Sequence, residues 1–375
     1  MNRGMSSCRC AFDFQAVRLS ELRIENLRLF QELELALPIG WSVFIGPNGA
    51  GKTSLLEAVY LLSHGRSFRS ASRTALTGNH GAGYAVYAKL EIRSCALVGI
   101  GLARRGSRMD ARVDGQSRSL SELVRRCAVA CFEPGSHALI AGFSEERRRF
   151  LDWGVFHVEH AFLLAWRRCQ RALKQRNALI RHEGGAAEID AWDQELALAA
   201  TELTQLRLHY FEALRPILIE SLAALLPELG QPVLRFDCGW NAELSLLDVL
   251  RTNRDNDLTR GFTGRGPHRA DWSIGFELAP RREHLSRGQE KLCALACVLA
   301  QARLHAACTG EWPIICLDDL ASELDTQRQV SVLNALGPYP VQVLMTGTSE
   351  PVGLGAANVL ITRFHVERGK VRSLL

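Results

Sequence analysis

Gly46-Pro-Asn-Gly-Ala-Gly-Lys-Thr53 is the stretch on which the reading of this chain turns. It fits Gly-x-x-x-x-Gly-Lys-[Ser/Thr], the P-loop pattern. The run before it, Trp41-Ser-Val-Phe-Ile45, is short and apolar, as a buried parallel strand should be. After it, Leu55, Ala58, Val59 and Leu62 fall on one helical face. Strand, glycine loop and helix N-terminus are the context the pattern requires. Gly46, Gly49 and Gly51 let the backbone turn tightly, so that N–H groups converge on phosphate oxygens. The helix dipole favours the anion there. The expected nucleotide-binding residues are therefore Gly46, Pro47, Asn48, Gly49, Ala50, Gly51, Lys52 and Thr53. Lys52 would reach the β- and γ-phosphates of ATP, and the Thr53 hydroxyl would hold Mg²⁺.

A P-loop needs an acidic strand to complete its magnesium site. Pro313-Ile-Ile-Cys-Leu-Asp-Asp319 is such a strand, apolar until it ends in two carboxylates. Asp318 is expected to bind the metal, and Asp319 to polarise the attacking water. Just ahead lies Leu285-Ser-Arg-Gly-Gln-Glu-Lys291, which resembles the signature of ATP-binding-cassette (ABC) ATPases. Ser286 and the N–H groups of Gly288 and Gln289 would form an anion site at the start of a long helix over Lys291 to His305. In that class the site caps the γ-phosphate of a partner subunit. Ser322-Glu-Leu-Asp325 follows at the spacing of its D-loop. The 234 positions between Lys52 and Ser286 imply an insertion.

The rest of the chain fills in around these motifs. Arg18 to Leu37 reads as two alternating strands, Gly65 to Arg73 as a polar loop, and Tyr84 to Leu102 as strand. Arg104 to Asp110 reads as a hairpin turn, Ser119 to Arg126 as a short helix, and Ala128 to Phe132 as a strand. From Ser144 to about Leu229 the pattern is helical, with a break at His182-Glu-Gly-Gly-Ala186. A second helical stretch, Glu195 to Leu226, is expected to be interrupted at Pro216 and to pair with the first as an antiparallel hairpin. Strands return at Val233 to Asp237, Trp272 to Leu278 and Val341 to Thr346.

Of 375 residues, 47% are hydrophobic and 23% charged, ordinary for a globular protein. No uninterrupted apolar run of about 18 residues marks a membrane span. Residues 1–17 lack the apolar core of a secretory signal and are expected to form a tail. The eleven cysteines include no Cys-x-x-Cys pair, which points to reduced thiols in a cytoplasmic protein. Net charge is +5, but the segment from Glu146 to Arg181 holds nine basic against three acidic residues. Within it Arg167, Arg171, Lys174 and Arg181 share a helix face, an electrostatic footprint for DNA phosphates or a merely solvated face.

Together these stretches resemble the RecF family of DNA replication and repair proteins, small relatives of the Rad50 and SMC ATPases. The resemblance runs from about Leu19 over almost the whole chain. It includes Arg147-Arg-Arg-Phe-Leu-Asp-Trp-Gly-Val-Phe-His157, Leu173-Lys-Gln-Arg-Asn-Ala178, Thr263-Gly-Arg-Gly-Pro-His-Arg-Ala-Asp271 and Leu317-Asp-Asp-Leu-Ala-Ser-Glu-Leu-Asp325. It implies an α/β fold: an ABC-type, SMC/Rad50-like ATPase head over 18–143 and 265–375, split by a mainly helical inserted domain over 144–264. It also implies a weak DNA-stimulated ATPase that closes as an ATP-dependent homodimer on single- or double-stranded DNA. With RecO and RecR it would help load RecA, away from any membrane. A transporter-type subunit or a Rad50-like head is the competing reading; the first lacks such an insertion, and the second needs a long coiled coil. Glu133-Pro134 inverts the family's Pro-Glu, which leaves Glu133 open as a metal or water contact. Thr346-Gly-Thr348 stands where many cassettes carry a switch histidine, so no γ-phosphate sensor is assigned.

Overall fold

The structure is a computed structural model that describes residues 15–70, 73–78, 81, 83–92, 96–182 and 184–374. Most of the expected tail, 1–17, lies outside the described residues, as does Glu183 in the expected break. In chain order the elements begin with β1 (Gln15–Ala16), β2 (Arg18–Leu27), β3 (Phe30–Ala36), β4 (Trp41–Ile45) and α1 (Lys52–His64). Next come β5 (Gly83–Ile92), β6 (Ala96–Arg105), β7 (Arg108–Val113), β8 (Gln116–Arg118), α2 (Leu120–Arg126) and β9 (Val129–Phe132). A helical stretch follows with α3 (Ala138–Ala141), α4 (Ser144–Val158), α5 (Phe162–Arg181) and α6 (Ala186–Leu225). Then come β10 (Pro232–Asp237), α7 (Leu246–Thr252), α8 (Arg254–Arg260), β11 (Asp271–Phe276) and α9 (Arg287–Thr309). The chain closes with β12 (Glu311–Trp312), β13 (Ile314–Leu317), α10 (Leu320–Glu323), α11 (Thr326–Leu336), β14 (Val343–Gly347), β15 (Ile361–Glu367) and β16 (Lys370–Leu374).

Two compact units divide these elements. The first holds residues up to Val129, His305–Cys316 and Val332 to the C-terminus. It contains an antiparallel sheet of order β3-β2-β5-β6-β7-β8. In β2, Leu22 and Ile24 are buried while Arg23 and Glu25 are exposed, the alternation of a sheet with one wet face. A second sheet runs β16-β15-β4-β14-β13-β9, and the chain passes into the other unit inside both β9 and β13. β4 lies between β14 and β15 and is parallel to both. That placement explains its unbroken apolar sequence: both faces are covered.

The second unit holds Ala130–Leu304 and Leu317–Ser331. Its largest feature is the α5–α6 hairpin, tied by ion pairs from Arg168 to Glu195 and Glu202 and from Arg176 to Asp193. The second helix differs from the sequence expectation at both points. It begins at Ala186 rather than Glu195, and it does not break at Pro216. Proline costs about 3 kcal/mol inside a helix and frees the carbonyl four residues back. Tyr210, Phe211, Leu214, Leu218 and Leu222 are all buried in an unbroken stripe across that position. At about 1.5–3 kcal/mol for each large apolar side chain, their burial outweighs the break. α9 is long and apolar enough to cross a membrane, but most of that apolar stretch is buried inside the protein. It is a core helix.

Candidate nucleotide-binding site and helical basic face

The P-loop lies in the first unit. Gly46 follows β4, and its N–H donates to the Gly347 carbonyl at 3.3 Å. A Cβ at Gly46 would stand 2.0 Å from the Val366 carbonyl oxygen, so only glycine fits. Gly51, at φ 112°, adopts the left-handed backbone that starts α1 and faces the Phe30 ring. The Gly369 N–H donates to the Ala50 carbonyl at 2.9 Å, so the β15–β16 turn holds the loop from the other side. Lys52 is 8% exposed, and its ammonium donates to the carbonyls of Gly46 at 2.8 Å and Pro47 at 2.9 Å. The loop thus curls around its own lysine, with the charge at the centre of the turn.

Beneath the loop stands a residue that the sequence reading passed over. Glu57 on α1 is fully buried and takes a bidentate pair from Arg28, at 2.8 and 2.9 Å. Ser67 Oγ donates to the same carboxylate. The bond to Glu57 raises the Arg28 pKa. A glutamate among the apolar residues of a helix was the available signal; its partner, 29 positions away on the β2–β3 turn, was not visible.

The acidic strand end lies in the second unit. Asp318 is 2% exposed, and its N–H donates to the Phe132 carbonyl at 2.8 Å. This contact brings the loop after β9 to the acidic strand end. Glu133 begins that loop, and burial pushes its carboxyl up to about 7. The Gly135 N–H bond at 2.6 Å opposes the rise, and the neighbouring Asp318 charge adds to it. Asp319 holds a left-handed backbone at φ 55° and accepts from Ser322 Oγ at 2.9 Å. Glu323 pairs with Lys291 at 2.5 Å, linking α10 to the second turn of α9.

The signature residues open α9. Ser286 Oγ accepts from the Gln289 N–H at 3.3 Å, while Gln289 Oε1 accepts from the Ser286 N–H at 2.9 Å. This reciprocal cap satisfies two helix-end donors. Ser286 and Gly288 are exposed. Among the described residues no three His, Cys, Asp or Glu side chains converge as a metal cage. Mg²⁺ is commonly held by one or two protein oxygens plus phosphate oxygens, chemistry that the Thr53 hydroxyl at the start of α1 suits.

The basic segment divides into two populations. Arg147 and Arg176 are buried ion-pair partners. Arg176 contacts Asp193, Asp257 at 2.7 Å and Thr263 at 2.8 Å. Arg167, Arg171, Lys174 and Arg181 are all exposed on one side of α5, as their spacing predicts. Opposite them Phe162, Ala165, Cys169 and Ala172 are buried.

A P-loop between parallel strands, an apolar strand ending in Asp318-Asp319 and a serine-capped signature helix define an ABC-type ATPase of the SMC class. The model of the RecF/RecN/SMC N-terminal domain matches residues 18–372. The chain belongs to the RecF family of DNA replication and repair proteins. It is 46% identical to RecF of Xanthomonas oryzae pv. oryzae (strain MAFF 311018), covering 95% of this chain and 100% of that one. It is 37% identical to RecF of Stutzerimonas stutzeri (strain A1501), covering 95% and 97%. The fold is similar to that of the recombination mediator protein RecF with ATP in the RecFOR pathway, at TM-score 0.86 and 24% identity over 96% and 99%. An Smc head domain from Pyrococcus furiosus is similar at TM-score 0.57 and 16% identity, over 96% of each chain.

Proposed function

We propose that this chain is an ATP-dependent DNA-binding protein of replication and recombinational repair, working in the cytoplasm. Residues 18–143 and 265–375 serve as its ATPase head, and 144–264 as an inserted helical domain. Two copies close with ATP between them on single-stranded or gapped double-stranded DNA, and slow hydrolysis to ADP and phosphate, stimulated by DNA, opens them. A similar fold is that of a mediator in the RecFOR pathway, which supports RecO and RecR as partners in loading RecA.

The observation that carries the reading is the P-loop built around Lys52. Gly46, Pro47, Asn48, Gly49, Ala50 and Gly51 wrap the phosphates, and Lys52 turns from its loop carbonyls to the β- and γ-oxygens. Thr53 and Asp318 hold Mg²⁺, which supplies charge neutralisation at the phosphates when bound. Asp319 orients the attacking water. Ser286, Gly288 and Gln289 reach the γ-phosphate of the partner copy, for which Ser286 exchanges its bond to the Gln289 N–H.

The exposed face of Arg167, Arg171, Lys174 and Arg181 supports the DNA reading. The test is a titration of gapped duplex with and without ATP at two salt concentrations. ATP should tighten binding, and Arg171→Ala with Lys174→Ala should flatten the slope of log affinity against log salt by about two units. Binding indifferent to ATP, with an unchanged slope in the variant, would contradict this function.

A further inference from the structure

A cavity of about 660 Å³ opens where three helices of the second unit meet. Arg181 is the last residue of α5, Arg260 the last of α8, and Ala186 the first of α6. All three line it, with Arg254 and Thr259. Arg254 is neutralised by Asp190 and by Asp193 at 2.7 Å. Arg181 donates to the Gly261 carbonyl at 3.3 Å, and among the described residues neither Arg181 nor Arg260 has a carboxylate partner. Two arginines without a carboxylate partner among the described residues therefore line one concave space.

We propose that this cavity is a binding site for a phosphoryl group of DNA. The inference rests on the DNA-binding reading above and extends it to a defined pocket. Arg181 ends the exposed α5 face, so a strand lying along that face runs to the cavity mouth. Guanidinium forks match phosphate oxygens in bidentate geometry. The pocket is concave, which suits a projecting 5′-phosphate at a gap edge as well as a backbone diester.

The experiment uses the full chain and a gapped duplex carrying either a 5′-phosphate or a 5′-hydroxyl at the gap. Arg260→Gln should lower affinity about threefold to tenfold and flatten the salt slope by about one unit, and Arg260→Lys should restore most of it. If the terminal phosphate is the ligand, the wild type prefers the phosphorylated gap and Arg260→Gln loses that preference. If a backbone diester is the ligand, the loss is equal on both duplexes. In parallel, bound DNA should protect Arg260 of the unaltered protein from phenylglyoxal, which makes the result independent of variant folding. Wild-type binding with unchanged affinity in Arg260→Gln and no protection would overturn the pocket while leaving DNA binding intact. A wild type that fails to bind either duplex would overturn both.

Discussion

Arg147 and Asp271, 124 positions apart, are joined by two parallel hydrogen bonds of 2.7 and 3.0 Å. Around them, Arg148 donates to the Ala270 carbonyl at 2.7 Å and Trp272 Nε1 to the Arg147 carbonyl at 2.9 Å. Arg207 binds Asp152 and the Pro267 carbonyl, each at 2.7 Å. The two stretches that mark the family outside its nucleotide motifs, Arg147 to His157 and Thr263 to Asp271, are thus two sides of one hydrogen-bonded joint. Their residues are explained by each other.

Removing one side of that joint should be costly. Arg147 is 8% exposed at its side chain and Asp271 34%, so Asp271→Ala leaves a nearly buried guanidinium without its counter-charge. A loss of about 3 kcal/mol is expected, at the low end for a broken buried pair. Arg149→Ala, which removes only exposed pairs with Glu145 and Glu146, should cost less than about 1 kcal/mol. Urea unfolding of both variants measures the contrast, and equal midpoints would contradict it.

Lys52→Arg should separate binding from hydrolysis. The ammonium fits between two carbonyls 2.8 and 2.9 Å away, a space that a planar fork fills poorly. ATP should still bind, while turnover falls about a hundredfold, comparable to losing one transition-state contact. Nucleotide binding and phosphate release, measured on the same preparation, check this. Turnover at the parental rate would remove Lys52 from its role.

Acid should weaken the fold through buried histidines. Burial lowers His268 from 6.5 to about 4, against a bond from its ring to the Thr263 carbonyl at 2.9 Å, and lowers His305 to about 4. Both are depressed, so the unfolded chain takes up protons first. The stability they support is complete above pH 6.5 and is lost as pH falls toward 4. Unfolding midpoints at pH 7, 5.5 and 4.5 should decline in the wild type and decline less in His268→Gln. Parallel profiles for the two proteins would contradict the assignment.

How much of this was legible depended on whether the cause was local. Gly46 to Thr53 announced itself because its requirements, left-handed glycines and a lysine at a helix start, are written into consecutive residues. The basic stripe on α5 was legible for the same reason: helical periodicity alone puts Arg167, Arg171, Lys174 and Arg181 on one face. Arg176 belongs to the same basic run, yet it is fully buried, because Asp193, Asp257 and Thr263 approach it from other elements. Pro216 misled for a related reason. Its local cost was visible, but the buried stripe that overrides it depends on packing. Glu57 and Arg28 show the same limit at the site itself.

In the proposed dimer two copies share each ATP through Ser286. Ser286→Arg alone should bind ATP, because its P-loop is intact, but should neither dimerise with ATP nor hydrolyse it. Mixed with Lys52→Arg, it forms heterodimers in which one composite site carries both lesions and the other carries neither. The decisive measurement is the ATPase rate of that mixture, with light scattering to follow its mass. Turnover well above that of either variant alone should appear on mixing, together with dimers. Ser286→Arg dimerising normally by itself, or a mixture no more active than its parts, would contradict it.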